Sequence, residues 1–140
     1  MPYCLYLVAR KRKLKFHYLA EHDVLIVTVD WTIETEEDLD PWYEAYARYF
    51  RRHFRRKVDV ILDLTKFHLN PRIAGRFGEV RAKVLREFTA RSYRVNADSV
   101  VKTAMYTSHV LQHAPANEFP TIDAALEQLA ADRAQKDRTR

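Results

Sequence analysis

Glycine is nearly missing from this chain. Only Gly75 and Gly78 occur in 140 residues, and both fall inside a stretch of helical periodicity. The turns must therefore be built from Asp, Asn, His and Pro. Cysteine is scarcer still: Cys4 stands alone, which excludes an intrachain disulfide and a cysteine metal cluster. A reducing, cytoplasmic setting is the simplest expectation. No run approaches the roughly 20 apolar residues of a membrane helix, so no transmembrane segment is expected. The short apolar run Leu5 to Ala9 precedes the basic cluster Arg10 to Lys13. A secretory signal has the opposite order, so none is read here. Acidic residues are outnumbered, 19 against 24, for a net charge of +5. That is modest for this length and permits, without demanding, contact with acidic surfaces.

Apolar residues are abundant. They make up 47% of the chain and aromatics 12%, enough to bury a core and to argue against disorder. The length suits a single domain, read as residues 1–132, with a charged tail over 133–140. The stretch around which the rest is organised opens with Val58-Asp59-Val60-Ile61-Leu62-Asp63-Leu64-Thr65. A short, β-branched, nearly continuous apolar run is how a strand reads when both faces are covered. A bend over Lys66–Asn70 follows, and Pro71 opens a helix expected to reach about Ala90.

The flanking segments fit an α/β domain. Leu14, Phe16 and Tyr18 alternate with Lys13, Lys15 and His17, the period of a half-buried strand. Glu21-His22-Asp23 supplies turn chemistry, and Val24 to Val29 is a second, more buried strand. Thr35 and Asp38 have capping spacing before a helix in which Leu39, Tyr43, Tyr46, Phe50 and Phe54 form an aromatic face. In the second helix Ile73, Phe77, Val80, Val84 and Phe88 form the core stripe, and Glu79–Lys83 and Glu87–Arg91 are expected as supporting pairs. A turn at Asn96-Ala97-Asp98-Ser99 precedes Val100 to Tyr106, expected as a strand parallel to Val58–Leu64. Ser108 caps a short helical segment, residues 114–119 form a linker with room for a brief edge strand, and Thr121 caps a last helix bearing Ile122, Ala125, Leu126 and Leu129.

The order is β-β-α-β-α-β-(short α)-α with a small fifth strand as an option. With Val58 to Thr65 in the middle and Glu118-Phe119-Pro120-Thr121-Ile122-Asp123-Ala124-Ala125-Leu126-Glu127-Gln128-Leu129 near the end, it resembles the SpoIIAA-like, or STAS-like, family over roughly residues 14–130. The resemblance implies a mixed, mostly parallel sheet of four or five strands with helices packed against it. It also implies a regulatory, non-enzymatic domain, and a strand-end acid followed by a phosphorylatable hydroxyl at the next helix start. Asp63 resembles that acid. The matching helix start, Asn70-Pro71-Arg72-Ile73, holds no hydroxyl, and Thr65 comes earlier.

Candidate site residues gather at two expected strand ends. Asp63, Thr65, His68, Asn70, Arg72 and Arg76 surround the bend; Thr107, Ser108 and His109 follow the expected strand at Val100–Tyr106. A helix start beside parallel strand ends accepts anions, although Asn70 as a plain cap and arginines in solvent are the weightier reading. Ser108, His109 and Asp63 suggest a hydrolytic triad, but no nucleophile elbow or glycine loop accompanies them, so no catalytic residue is assigned. His109 and His113 have metal-ligand spacing without a supporting Glu or Cys, so no metal or cofactor is assigned. Arg48, Arg51, Arg52, Arg55 and Arg56 interleave with aromatics, as on nucleic-acid surfaces. Because the aromatics are needed inside, a solvated or partner-docking face is the plainer reading, and nucleic acid is not the expected partner. The row Ala74, Gly78, Ala82 offers a shallow groove for the sheet, another helix or a second copy. The functional expectation is a protein partner bound through the helices and the strand-end rim. The alternatives are a carrier of a small anionic or lipid ligand, by analogy of fold, and nucleic-acid binding through the arginine helix.

Overall fold

The computed structural model describes residues 11–98, 101–102 and 118–138. Two antiparallel strands, β1 (Arg12–Leu19) and β2 (Val24–Ile33), open it as a hairpin. Asp23 makes the turn at φ 48, a left-handed conformation that a short polar side chain tolerates where glycine is lacking. A 3-10 turn over Glu36–Asp38 leads into α1 (Leu39–His53). The central strand β3 (Val58–Asp63) and a two-residue strand β4 (His68–Leu69) come next. A second 3-10 turn, Pro71–Ile73, leads into α2 (Ala74–Phe88), and β5 (Thr89–Val95) follows it directly. Then come β6 (Glu118–Phe119) and α3 (Ile122–Arg138).

The sheet order is β1-β2-β3-β5-β6, with β4 pairing the far end of β2. All neighbours are parallel except β1 and β2. Helices α1 and α2 cover one face, where Val27, Val29, Trp31, Trp42, Tyr46, Phe50, Val60 and Phe77 share a core. Helix α3 covers the other, where Val24, Ile61, Tyr93 and Val95 meet Ala125 and Leu129. Val60 and Ile61 thus point to opposite layers, and both are buried. This is the double coverage that the apolar run of β3 predicts. Each large apolar side chain so buried contributes about 1.5–3 kcal/mol.

Capping follows the expectations. Asn70 Oδ1 accepts from Arg72 N at 3.1 Å ahead of Pro71, and Thr121 Oγ1 accepts from Ala124 N at 3.0 Å. At the first helix the Asp38 carboxylate is buried; it accepts from Glu34 N at 2.9 Å and Thr35 N at 3.1 Å, and pairs with Arg12 at 2.5 Å. The brief edge strand expected in 114–119 is β6.

Four expectations are corrected. The strand parallel to β3 on its far side is Thr89–Val95, not Val100–Tyr106. Val101 and Lys102 are helical, and residues 103–106 lie outside the described residues. The sequence Thr-Ala-Arg-Ser-Tyr-Arg-Val hides its strand because Ser92 and Arg94 occupy one of its two buried faces. Tertiary burial, not local pattern, decides such a segment. The expected Glu87–Arg91 pair goes with it: Arg91 reaches Asp59 at 3.3 Å, and Glu87 accepts from the Tyr43 hydroxyl. The bend over Lys66–Asn70 contains β4. Helix α1 stops at His53, so Arg55 and Arg56 lie beyond it. Finally, α3 continues through the start of the expected tail.

Candidate functional site

The segment from Asp63 to Arg76 runs along the carboxyl ends of β2, β3 and β5. Its backbone is held at both ends and in the middle. Leu64 N donates to Val95 O at 2.9 Å, which ties the end of β3 to the end of β5. Asn70 N donates to Ile33 O at 2.8 Å, and Asn70 Nδ2 to Glu34 O at 2.9 Å. Between these points Leu64, Phe67 and Leu69 are buried in the core under α1 and α2. The residues between the anchors, Thr65, Lys66 and His68, are exposed, as are Arg72, Gly75 and Arg76. The result is a polar rim on a backbone that apolar anchors hold in place.

Asp63 Oδ1 accepts from Thr65 N at 3.1 Å and from Thr65 Oγ1 at 2.6 Å, closing a tight polar turn. Arg76 bonds Glu79 and lies 3.9 Å from Glu36. The rim therefore carries the cations Lys66 and Arg72, with the His68 imidazole between them, and is bordered by acids at Glu34, Glu36 and Glu37, all exposed. Sequence reasoning brought Asp63, Thr65, His68, Asn70, Arg72 and Arg76 together, and they are together here. Thr107, Ser108, His109 and His113 lie outside the described residues, so the triad and the histidine pair stand as sequence expectations only.

The other two candidate surfaces change on inspection. Gly78 and Ala82 are already buried within the chain and Ala74 is half-buried, so their row is no open groove. Arg48, Arg51 and Arg52 are exposed on α1, but Arg51 lies over the Phe88 ring at 5.7 Å. Arg56, past the helix end, pairs with Asp23 at 2.7 Å. Within the α1/α2 core the cavity beneath α2 measures only about 20 Å³ and is lined by Trp42, Tyr46, Phe77 and Val84 among others. Among the described residues no group of three or more His, Cys, Asp or Glu is placed to hold a metal ion. No described helix is long and apolar enough to cross a membrane.

No protein-family profile and no curated protein sequence matches the chain. Solved structures do. An anti-sigma factor antagonist from Mycobacterium paratuberculosis superposes with a TM-score of 0.61 at 13% identity, over 84% of this chain and 93% of that one. The anti-sigma factor antagonist SpoIIAA in its unphosphorylated form gives 0.54 at 7% identity, over 85% and 97%. The fold is SpoIIAA-like, of the STAS type. The STAS-like fold is what the element order and the last helix led one to expect; the sheet that carries it uses a different fourth strand.

Two buried cations escaped the sequence reading. Arg81 on α2 and Arg94 on β5 are nearly or wholly shielded from solvent. Burial lowers both guanidinium pKa values, to about 10 for Arg81 and about 9 for Arg94, and Glu118 opposes the shift in each. The alternation of Ser92 and Arg94 with Tyr93 and Val95 was a signal for Arg94, hidden because both faces are covered.

Proposed function

We propose that this chain is a non-enzymatic regulatory domain that docks a protein partner on the rim from Asp63 to Arg76. The supporting observation is the rim itself: exposed charged side chains mounted between buried Leu64, Phe67 and Leu69. A surface whose backbone is held in advance loses little conformational entropy on docking. Its pattern of cations flanked by acids selects a partner by complementary charge. Proteins described as anti-sigma factor antagonists share the fold, and that description supports a regulatory protein contact.

The lipid-carrier alternative finds no support in the core, where about 20 Å³ holds one water and no acyl chain. Nucleic-acid binding loses Arg56 to Asp23 and part of Arg51 to Phe88. The test is a photo-crosslinker placed at His68, with capture repeated after Arg72→Glu. A partner crosslinked at His68 and lost with Arg72→Glu supports the reading. Crosslinks that persist unchanged in Arg72→Glu and vanish only with Arg48→Glu overturn it.

A further inference from the structure

Strand β1 closes the sheet on one side: it pairs β2 and, among the described residues, nothing along its other edge. Thr32 N donates to Lys11 O at 3.0 Å, which sets the phase of the ladder. Bonded and non-bonded residues alternate in an antiparallel pair, so Lys13, Lys15 and His17 bond β2. Leu14, Phe16 and Tyr18 then turn their N–H and C=O groups outward, along the free edge. Helix α1 overhangs this edge. Ala45, Arg48, Tyr49, Arg52 and His53 recur at helical spacing, on a stripe beside the one that enters the core. Between that stripe and Leu14 and Phe16 lies a groove of about 460 Å³, whose described lining residues all belong to β1, β2 and α1.

The floor of the groove is apolar and aromatic. Leu14 and Phe16 are half-buried, and the Phe16 ring stacks on Tyr49 with centroids 3.7 Å apart. His53 continues the stack, 4.3 Å from Tyr49. The banks are cationic. Arg48 and Arg52 are exposed on the helix side, and Lys13 and Lys15 are exposed on the opposite face of β1. Among the described residues none of these four has an ion pair, whereas Arg12 at the start of β1 is held by Asp38. Glu44 is the one acid among the described lining residues. Residues 1–10, which lead into β1, contain no Asp or Glu and so bring no side-chain carboxylate to these cations. A strand laid beside β1 therefore meets uncompensated positive charge on both of its faces.

We propose that the free edge of β1, under the overhanging flank of α1, takes an extended acidic segment of a partner protein as an added strand, its acids alternating with apolar residues. This contact is separate from the rim and does not rest on it. Main-chain bonds to the outward groups of Leu14, Phe16 and Tyr18 hold such a segment, and its side chains at alternate positions select it. Its apolar side chains enter the groove on Phe16 and Tyr49, its acids on the other face meet Lys13 and Lys15, and Arg48 and Arg52 add attraction from the helix. A second copy of β1 is the poorer occupant, because Lys13 and Lys15 would face their own counterparts. A nucleic acid carries no peptide groups for the strand edge.

The experiment titrates the full chain with a blocked peptide of alternating Glu and Val, matched to β1 at 8 residues, and with its Lys–Val counterpart at the same ionic strength. Fluorescence anisotropy and amide chemical shifts are the readouts. Binding of the Glu–Val peptide alone is expected, with shifts centred on Leu14, Phe16, Tyr18 and Tyr49. Arg48→Ala and Arg52→Ala, both exposed changes, should each weaken it about threefold, the size of an exposed ion pair. Arg48→Glu combined with Arg52→Glu should abolish it, while Arg86→Glu, an exposed change on α2 outside the groove, should leave it unchanged. Peptides N-methylated at only the Glu or only the Val positions separate strand addition from charge alone. One set removes the bonding amides and should lose binding; the other should keep it. No preference for Glu–Val over Lys–Val, equal binding of the two methylated peptides, an equal loss with Arg86→Glu, indifference to the Arg48 and Arg52 changes, or shifts centred on residues 63–76 would overturn the proposal. Tighter binding of oligothymidylate at the same ionic strength would overturn it too, and would assign the arginines to nucleic acid.

Discussion

Arg133 Nη2 lies 2.8 Å from Asp59 Oδ2, joining the second half of α3 to the start of β3. The same guanidinium donates to His22 O at 2.5 Å and to Asp23 O at 2.8 Å, in the β1–β2 turn. Arg91 of β5 approaches Asp59 from the other side at 3.3 Å. One carboxylate thus gathers β3, β5 and α3, and α3 reaches on to the first hairpin through the same arginine. Asp59 is buried, and removing a partner from a buried carboxylate is costly.

Arg133→Ala should therefore destabilise the fold by about 1–2 kcal/mol, since Asp59 keeps Arg91 and Arg133 is partly solvated. Truncation after residue 132 should cost at least as much. Urea denaturation checks both. An unchanged midpoint after truncation would mean that the end of α3 is dispensable.

Phe77 lies in the core beside Trp42 and Phe67, with ring centroids 5.3 and 5.4 Å away. Phe77→Ala should cost about 3–5 kcal/mol, because it enlarges a cavity that the native packing keeps small. Thermal unfolding should show it as a large drop in Tm. A drop no larger than that of a surface change would remove Phe77 from the core.

Thr65→Glu tests the rim turn. It replaces a hydroxyl that donates to Asp63 with a second carboxylate close to the first. Like charges at that range repel, and the turn should open. Partner capture should fall, while Thr65→Ser retains it. The same repulsion would make a phosphate on Thr65 an off-switch. Intact mass of the native protein, with and without phosphatase, reports whether that switch is used.

Asp23 is held below the ordinary carboxylate value of 3.8, first by the Tyr18 hydroxyl and then by Arg56. A depressed folded value means this contribution is complete above the unfolded pKa and fades as pH falls through the folded one. Asp23 is about half exposed, so solvent screening keeps the contribution to a few tenths of a kcal/mol. Asp23→Asn should flatten the acid limb of the stability curve slightly below pH 4. An unchanged limb would show that the Tyr18 and Arg56 contacts add nothing.

Much of this was readable along the chain. The hairpin, the aromatic face of α1, the caps at Asn70 and Thr121 and the double coverage of Ile61 each follow from short-range rules of period and side-chain chemistry. That Asp63, Thr65, His68, Asn70, Arg72 and Arg76 lie along one polar segment between β3 and α2 was legible because a polar bend between an apolar strand and a helix has few places to go. β5 was not legible. It follows Phe88 with no glycine or proline between, and Ser92 and Arg94 give it the look of a wet helix end.

By itself, the sequence determined which segments are apolar enough to be buried and where helices start, since those depend on neighbours a few residues away. Only the tertiary structure decided that Arg94 is interior, that Arg133 belongs to the body of the fold and that Gly78 and Ala82 are covered. Burial of a charge is set by what packs around it in space, and neither Glu118 beside Arg94 nor Asp59 beside Arg133 is near it along the chain.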